Sequence, residues 1–165
     1  MSSSNQHRVP WRAILVGLLA LVFLAGCGAA KYTPKANEEL YGTWKQANAK
    51  MNMDREVWDA TAYSVYLHAQ DTDAFFTATY TIARKWTASD GSIRYEISGS
   101  YTGGTGIGGF KGKLLTAAVK IYNSGSTLED VWSQPTSDQE MKNPRYPDKI
   151  DESNSSYGIW SRVTK

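Results

Sequence analysis

The chain has 165 residues, one cysteine and a formal net charge of +2, from 18 basic and 16 acidic residues. Basic and acidic residues are nearly equal in number, so the chain has little excess positive charge to attract nucleic acid. We therefore expect no nucleic-acid partner. A single cysteine excludes an intramolecular disulfide, so the fold has to be stabilised by its own apolar core.

The N-terminal segment has the layout of a secretory signal. A short polar start with Arg8 and Arg12 precedes an apolar run over residues 13–24, and small residues follow. The run is shorter than the roughly 20 residues of a membrane-spanning helix. Three interpretations of this segment are open: the signal of a lipid-anchored protein, an ordinary cleaved signal, and an N-terminal membrane helix. Loss of both arginines with the signal would leave sixteen basic and sixteen acidic residues.

The sequence LAGC at residues 24–27 resembles the lipobox of bacterial lipoproteins at every position. The resemblance implies cleavage between Gly26 and Cys27, a diacylglycerol on the Cys27 sulfur, and acylation of the new amino group, for example with palmitate. Two or three acyl chains, at about 0.8 kcal/mol per buried methylene, hold a protein stably on a membrane. Because Gly28 is not aspartate, the sorting rule of this family favours the outer membrane. We therefore predict an envelope protein that contacts its membrane through the lipid on Cys27.

The chain after the lipobox divides into a short polar stretch and one domain. Residues 28–39 are small and polar and contain a proline, which is typical of a flexible tether. Residues 40–165 have the size of a single domain. We predict a signal peptide over residues 1–26, a lipidated cysteine with its tether over 27–39, and one domain over 40–165.

Alternating apolar and polar residues predict β-strands through most of this domain. Residues 74–102 form one predicted hairpin around the turn ASDG at 88–91, because Asp and Gly accept the backbone angles of a short loop. Residues 113–133 form a second predicted hairpin around a turn at 123–126. Residues 56–68 predict a further strand, either continuous or bent or split, with a helical turn over residues 51–59 as the alternative. Residues 157–164 predict the last strand.

Two segments are predicted as loops. Residues 134–156 contain three prolines and many charges, so they form a long connection. Residues 99–112 are rich in glycine and predict a flexible loop, a candidate lid. They match the Gly-x-Gly-x-x-Gly pattern of dinucleotide sites, but such a site also needs a helix after the glycines, within a βαβ unit. The sequence predicts a strand there, so we do not expect a dinucleotide site.

About seven antiparallel strands without a long amphipathic helix must form either a sandwich or a closed barrel. The phrase YGTWKQ at 41–46 resembles the first strand of lipocalin-like, or calycin-type, barrels, which carries Gly-x-Trp, here Gly42 and Trp44. Residues 80–101 and 120–133 are also similar to lipocalin-like domains of bacterial lipoproteins. The chain lacks the Thr-Asp-Tyr signature and the C-terminal helix of that family, which indicates a smaller or irregular relative.

The resemblance implies an all-β fold with a single antiparallel lipocalin-like barrel of about seven or eight strands. It places Trp44 at the closed end, with Arg162 of the last strand across its face in a cation–π contact. The strand needed to complete eight is expected in 57–68 or 104–112. A second Tyr-Gly-x-Trp phrase at 157–160 is explained if the first and last strands close one sheet.

No motif in the chain carries a catalytic mechanism. After removal of the signal, His68 is the single histidine and Cys27 the single cysteine, too few for a zinc site built on these ligands, and a Ser-His-Asp triad would have to use His68. We therefore expect no enzyme, no catalytic residues, no metal and no cofactor.

Aromatic residues are abundant, and in a small barrel they either fill the core or line a cavity. The predicted role is binding of a small apolar molecule without catalysis. Period-two alternation puts the ligand-binding candidates on the inner face: Phe76, Tyr80, Ile82, Tyr95, Ile97, Val119, Ile121 and Trp132. The alternative is a filled barrel that displays loops 99–112 and 134–156 to another envelope protein or a host protein.

Overall fold

A computed structural model describes residues 32–47, 52–106, 108–134 and 142–164. The predicted signal, the cleavage site at Gly26 and Cys27, and the first residues of the predicted tether lie outside this part of the chain. Within it, no helix has the length and apolarity needed to cross a membrane.

The described residues form eight strands that follow one another along the chain: β1 Gly42–Gln46, β2 Arg55–Trp58, β3 Ala62–Tyr66, β4 Phe76–Thr87, β5 Ile93–Gly103, β6 Leu114–Tyr122, β7 Thr127–Ser133 and β8 Gly158–Arg162. Each strand pairs antiparallel with the next, and β8 pairs with β1, so the sheet closes into a barrel. The predicted single antiparallel barrel is confirmed. Closure also removes the exposed edges that an open sheet would present.

The strand predicted over residues 56–68 is split into β2 and β3. Asp59 Oδ1 accepts hydrogen bonds from the backbone N–H groups of Thr61 and Ala62, at 2.8 and 2.7 Å, so the chain turns here. The eighth strand therefore comes from this region and not from residues 104–112. The predicted loop over 99–112 is shorter than expected, because β5 continues to Gly103.

The first and last strands meet at the predicted aromatic contact. Trp44 and Arg162 are register partners in the β1–β8 pair, and the guanidinium carbon lies 4.1 Å from the centroid of the indole ring. Arg162 also donates hydrogen bonds to the carbonyls of Tyr41 at 2.8 Å and Gly125 at 2.7 Å. A side chain at Gly42 would meet Arg162 Nη1 at 2.9 Å, and its φ of +137° favours glycine. One arginine thus connects three separate parts of the chain.

This end of the barrel, which we call the closed end, is covered by residues 32–41. Leu40 is fully buried, and its carbonyl accepts a hydrogen bond from Trp44 Nε1 at 2.9 Å. Glu38 is also buried and receives Lys85 Nζ at 2.6 Å, the Lys35 N–H at 2.8 Å and the Tyr32 hydroxyl at 2.5 Å. Residues 32–39, which the sequence assigns to the tether, therefore pack on the barrel. The buried carboxylate of Glu38 forms these contacts. Alternation of apolar and polar residues does not predict them, because it identifies apolar side chains as the buried ones.

The core is complete within this unit. Its buried apolar side chains come from all the strands and from Leu40 and Met53. Part of the long connection also packs on the outside of the barrel, where the Tyr146 hydroxyl lies 2.8 Å from Ser98 Oγ and Thr116 Oγ1 donates to the Arg145 carbonyl at 3.0 Å. The predicted connection is thus held against β5 and β6 over this part.

Candidate functional site

The end of the barrel opposite the closed end holds a cavity of about 290 Å³, which we call the mouth pocket. Neighbouring strands run in opposite directions, so strand ends and strand starts meet at this end of the barrel. The pocket lies at the ends of β3, β5 and β7 and at the start of β4. The described residues that line it are largely apolar and aromatic: Met53, Tyr63, Val65, Phe76, Tyr101, Phe110, Trp132, Gln134 and Ser156.

Three rings form the rim of the mouth pocket. Phe76, Tyr101 and Phe110 contact one another with centroid distances of 5.5 to 5.8 Å, and each is partly exposed. Phe110 comes from the loop between β5 and β6. That loop lies close to β4, since a side chain at Gly104 would meet the Phe75 carbonyl oxygen at 2.2 Å and its φ is +120°. The predicted candidate lid therefore contributes one aromatic side chain to the pocket.

The floor of the mouth pocket is a stack of aromatic side chains. The rings of Tyr63 and Trp132 are stacked at 4.5 Å, and Trp58 lies 4.3 Å from Tyr63 and 5.6 Å from Trp132. Tyr63 and Trp132 line the pocket, whereas Trp58 is buried beneath them. The stack separates the pocket from the interior of the barrel.

Two carboxyl groups, which we call the acid pair, are fully buried behind this floor. Glu56 Oε1 accepts a hydrogen bond from Trp58 Nε1 at 2.9 Å, and its Oε2 accepts one from the Tyr63 hydroxyl at 3.0 Å. Asp130 Oδ1 accepts from Trp160 Nε1 at 2.8 Å, and its Oδ2 accepts from Trp132 Nε1. Two pocket-lining side chains, Tyr63 and Trp132, therefore bond directly to the buried acids.

Burial changes the protonation of the acid pair. Loss of water raises the pKa of Asp130 to about 7, against the lowering effect of the two indole hydrogen bonds. Burial and the charge of Asp130 raise the pKa of Glu56 well above its ordinary value. The two groups titrate as a pair, so a proton bound by one affects the other.

The structure places the eight predicted ligand-binding residues in two different regions. Phe76 and Trp132 line the mouth pocket. Six others are buried in the packed core and do not border it: Tyr80, Ile82, Tyr95, Ile97, Val119 and Ile121. We therefore revise the candidate site to the mouth pocket, because an inward-facing side chain contacts a ligand only where the interior is open.

Some of the reassigned residues have other contacts. The Tyr95 hydroxyl donates to the carboxyl groups of Glu38 and Glu39 at the closed end, at 3.2 and 2.9 Å. The Tyr80 hydroxyl donates to the Asp59 carbonyl at the β2–β3 turn. These tyrosines stabilise the fold around the barrel ends.

Sequence reasoning missed the acid pair. Trp132 is predicted on the inner face of its strand, and Asp130 lies two residues before it, so it shares that face. Glu56 shares the inner face of β2 with Trp58 in the same way. A carboxylate at an inward position two residues from a tryptophan was the signal that could have found both acids.

Within the described ranges, no group of three or more His, Cys, Asp or Glu side chains could hold a metal ion. No family model, curated protein or solved structure matches the chain. The arrangement can therefore be interpreted from its own chemistry: an aromatic pocket for a small molecule, with two buried carboxyls behind its floor.

Proposed function

We propose that this protein is a bacterial lipoprotein of the cell envelope whose barrel binds a small, largely apolar molecule without catalysing a reaction. The observation that carries the binding role is the mouth pocket, an aromatic cavity at one end of a closed barrel. The anchor would be the acylated Cys27, with the outer membrane as the expected location.

The size and lining of the mouth pocket support binding of a small ligand. Its volume of about 290 Å³ is at the lower limit of ligand pockets, which hold about 300 Å³ or more. The partly exposed rings of Phe76, Tyr101 and Phe110 would lose water contact under a ligand, and burial of apolar surface contributes about 25 cal/mol per Å². A ligand of one or two rings would fit this space.

The interaction role considered above receives less support. Part of the 134–156 connection packs on the barrel through Arg145 and Tyr146, and the 104–113 loop places Phe110 at the mouth pocket. Some residues of both segments are therefore already used in contacts within the domain, which leaves fewer of them to contact another protein.

The test is binding of naphthalene to a chain that begins at Gly28, which keeps the barrel and its whole core. We expect saturable binding at one site, a change in tryptophan emission and a higher melting temperature. Phe110→Ala removes a rim ring and should weaken binding about tenfold, since about 1.4 kcal/mol corresponds to a factor of ten.

Trp86→Ala is the matched control, because Trp86 is also a partly exposed aromatic residue but does not line the mouth pocket. It should leave the affinity unchanged. Absence of saturable binding, or equal weakening by both variants, would contradict the proposed role.

A further inference from the structure

The hydrogen-bond partners of Glu56 and Asp130 indicate which of the two carboxyl groups carries the negative charge. Both donors to Asp130 are indole N–H groups, which cannot accept a proton in return, so Asp130 is best satisfied as an ionised carboxylate. Glu56 Oε2 faces the hydroxyl of Tyr63, whose oxygen can accept as well as donate. A proton is therefore accommodated better on Glu56 than on Asp130, and at a pH above the pKa of Asp130 the pair retains one negative charge on Asp130.

This charge has no cationic partner in the described part of the chain. The side chains that hydrogen-bond to the pair in the described part of the chain come from β2, β3, β7 and β8, and all are uncharged: Trp58, Tyr63, Trp132 and Trp160. Tyr63 is the titratable one among them, and burial raises the pKa of its phenol well above the ordinary value, so it stays neutral. The ion pairs of the described residues involve other acids.

The negative charge acts on the mouth pocket through its floor. Tyr63 and Trp132 line the pocket and also donate to Glu56 and Asp130. A ring that donates to a carboxylate is more electron-rich, and the face of such a ring attracts a cation. The rim ring of Phe110 already has an ammonium nearby, since the exposed Lys113 Nζ lies 5.4 Å from its centroid.

The polar groups at the pocket determine what kind of cation fits. The Tyr63 hydroxyl and the Trp132 indole N–H are used by the acid pair. Ser156 Oγ is used as well, because it accepts from the Trp132 N–H and donates to the Trp132 carbonyl. The other two polar side chains that line the pocket, Tyr101 and Gln134, hydrogen-bond to each other. A primary ammonium would bring three N–H donors that compete for these groups, whereas a quaternary ammonium brings none.

We propose that the mouth pocket binds an organic cation with an apolar surface, a tertiary or quaternary ammonium group, over the Tyr63–Trp132 floor and in front of the acid pair. The inference rests on the proposed binding function and names the ligand class. No covalent step is involved, because the cation is held by aromatic faces and by the field of the buried carboxylate.

The test compares two probes of nearly the same shape, phenyltrimethylammonium and tert-butylbenzene, by calorimetry on the chain that begins at Gly28. Neither probe titrates, and only the first is charged. We expect the cation to bind about tenfold more tightly than the neutral probe at pH 8, because a desolvated cation–π contact favours the charged probe.

Two variants separate charge from shape. Asp130→Asn removes the ionised carboxylate and should reduce the preference for the cation to about one, while tert-butylbenzene binds as before. Glu56→Gln replaces the group that holds the proton, so the preference should persist; the Tyr63 hydroxyl can accept from the new amide. A preference that survives Asp130→Asn would overturn the inference.

The wild-type chain supplies a second measurement if Asp130→Asn does not fold. Because the pKa of Asp130 is about 7, its carboxylate takes up a proton below that pH. The preference for phenyltrimethylammonium should then fall at least about fivefold between pH 8 and pH 5.5, whereas the affinity for tert-butylbenzene stays constant. A preference that does not change with pH counts against the acid pair as its source.

The outcomes also distinguish the two proposals. If naphthalene and tert-butylbenzene bind and the cation binds no better, the ligand class is wrong and the binding function stands. If none of the three probes binds, both proposals fail.

Discussion

Trp132 lines the mouth pocket and donates its indole N–H to Asp130, which is fully buried behind it. The two residues share the inner face of β7, because side chains two positions apart on a strand point the same way. A hydrogen bond within one strand thus connects the surface of the candidate site to a buried charge.

The acid pair should make the folded state less stable as the pH rises. The pKa of Asp130 is about 7 in the folded protein and near its ordinary value of 3.8 in the unfolded chain. Between about pH 4 and pH 7 the folded state therefore binds more protons, so the free energy of unfolding falls with increasing pH. We expect Asp130→Asn to flatten this decline in urea denaturation at pH 5, 6 and 7.

At pH 5, Asp130→Asn should also lower stability by about 1–3 kcal/mol, because its amide group would face an indole N–H that needs an acceptor, and this loss should shrink toward pH 7 as the wild type becomes less stable. Glu56→Gln should cost less, since the Tyr63 hydroxyl can reverse its hydrogen bond. Parallel pH profiles for the wild type and Asp130→Asn would show that Asp130 does not titrate in this range.

Glu38 should have the opposite pH dependence at the closed end. Burial raises its pKa, but the Lys35 N–H, the Lys85 ammonium and the Tyr32 hydroxyl outweigh this and lower it to about 2. A lowered pKa contributes stability above the ordinary value of 4.5, which is lost as the pH falls toward 2. Glu38→Gln should lower the free energy of unfolding by about 1.5–3 kcal/mol at pH 7.

The difference between Glu38→Gln and the wild type should shrink in denaturation curves recorded at pH 3. Glu39→Gln is the control, because Glu39 also contacts Lys85 but its side chain is 44% exposed. An exposed ion pair contributes about 1 kcal/mol or less. Equal losses from the two variants would exclude a special role for the buried carboxylate.

The Trp44–Arg162 contact should matter for stability and not for binding. Arg162→Ala removes the contact with the indole and the hydrogen bonds to Tyr41 and Gly125, so we expect a loss of about 2–3 kcal/mol. Trp44→Ala should cost about 3–5 kcal/mol, as for other buried tryptophans. Both are measured by urea denaturation.

Naphthalene affinity should be unchanged in Arg162→Ala at temperatures where the variant is folded, because the contact lies at the opposite end from the mouth pocket. Arg162→Lys keeps the charge but not the planar group, and it should recover less than half of the lost stability. Full recovery by lysine would mean that charge alone accounts for the contact.

Lipidation is tested on the full chain in a bacterial host. Cys27→Ser removes the acceptor thiol, so incorporation of a labelled palmitate analogue should be abolished. Gly28→Asp leaves the thiol in place, so labelling should persist. Under the sorting rule of bacterial lipoproteins, this variant should be found in the inner membrane instead of the proposed outer membrane. Labelling of Cys27→Ser would show that the acyl chain is attached elsewhere.

The sequence predicted the long hairpins well because their pairing is local. In β4 and β5 the alternation extends over many residues and the turn contains Asp90 and Gly91, both adapted to a tight loop. β2 and β3 have only four and five residues, and the turn between them contains neither Gly nor Pro. Asp59 stabilises that turn through its side chain, so the split had no strong signal.

By itself, the sequence determined that the domain is all-β and which apolar residues point inward, because a period of two depends only on neighbouring residues. It also showed that the first and last strands carry similar phrases. The tertiary structure decided how far along the barrel each inward residue lies, since that depends on strand register around the closed sheet. Tyr95 and Trp132 illustrate this: both point inward, but one contacts Glu38 and Glu39 at the closed end and the other lines the mouth pocket. The meeting of Glu56 and Asp130, which are far apart in the chain, was likewise decided by barrel closure, because only the closed sheet brings β2 and β7 to face each other across the core.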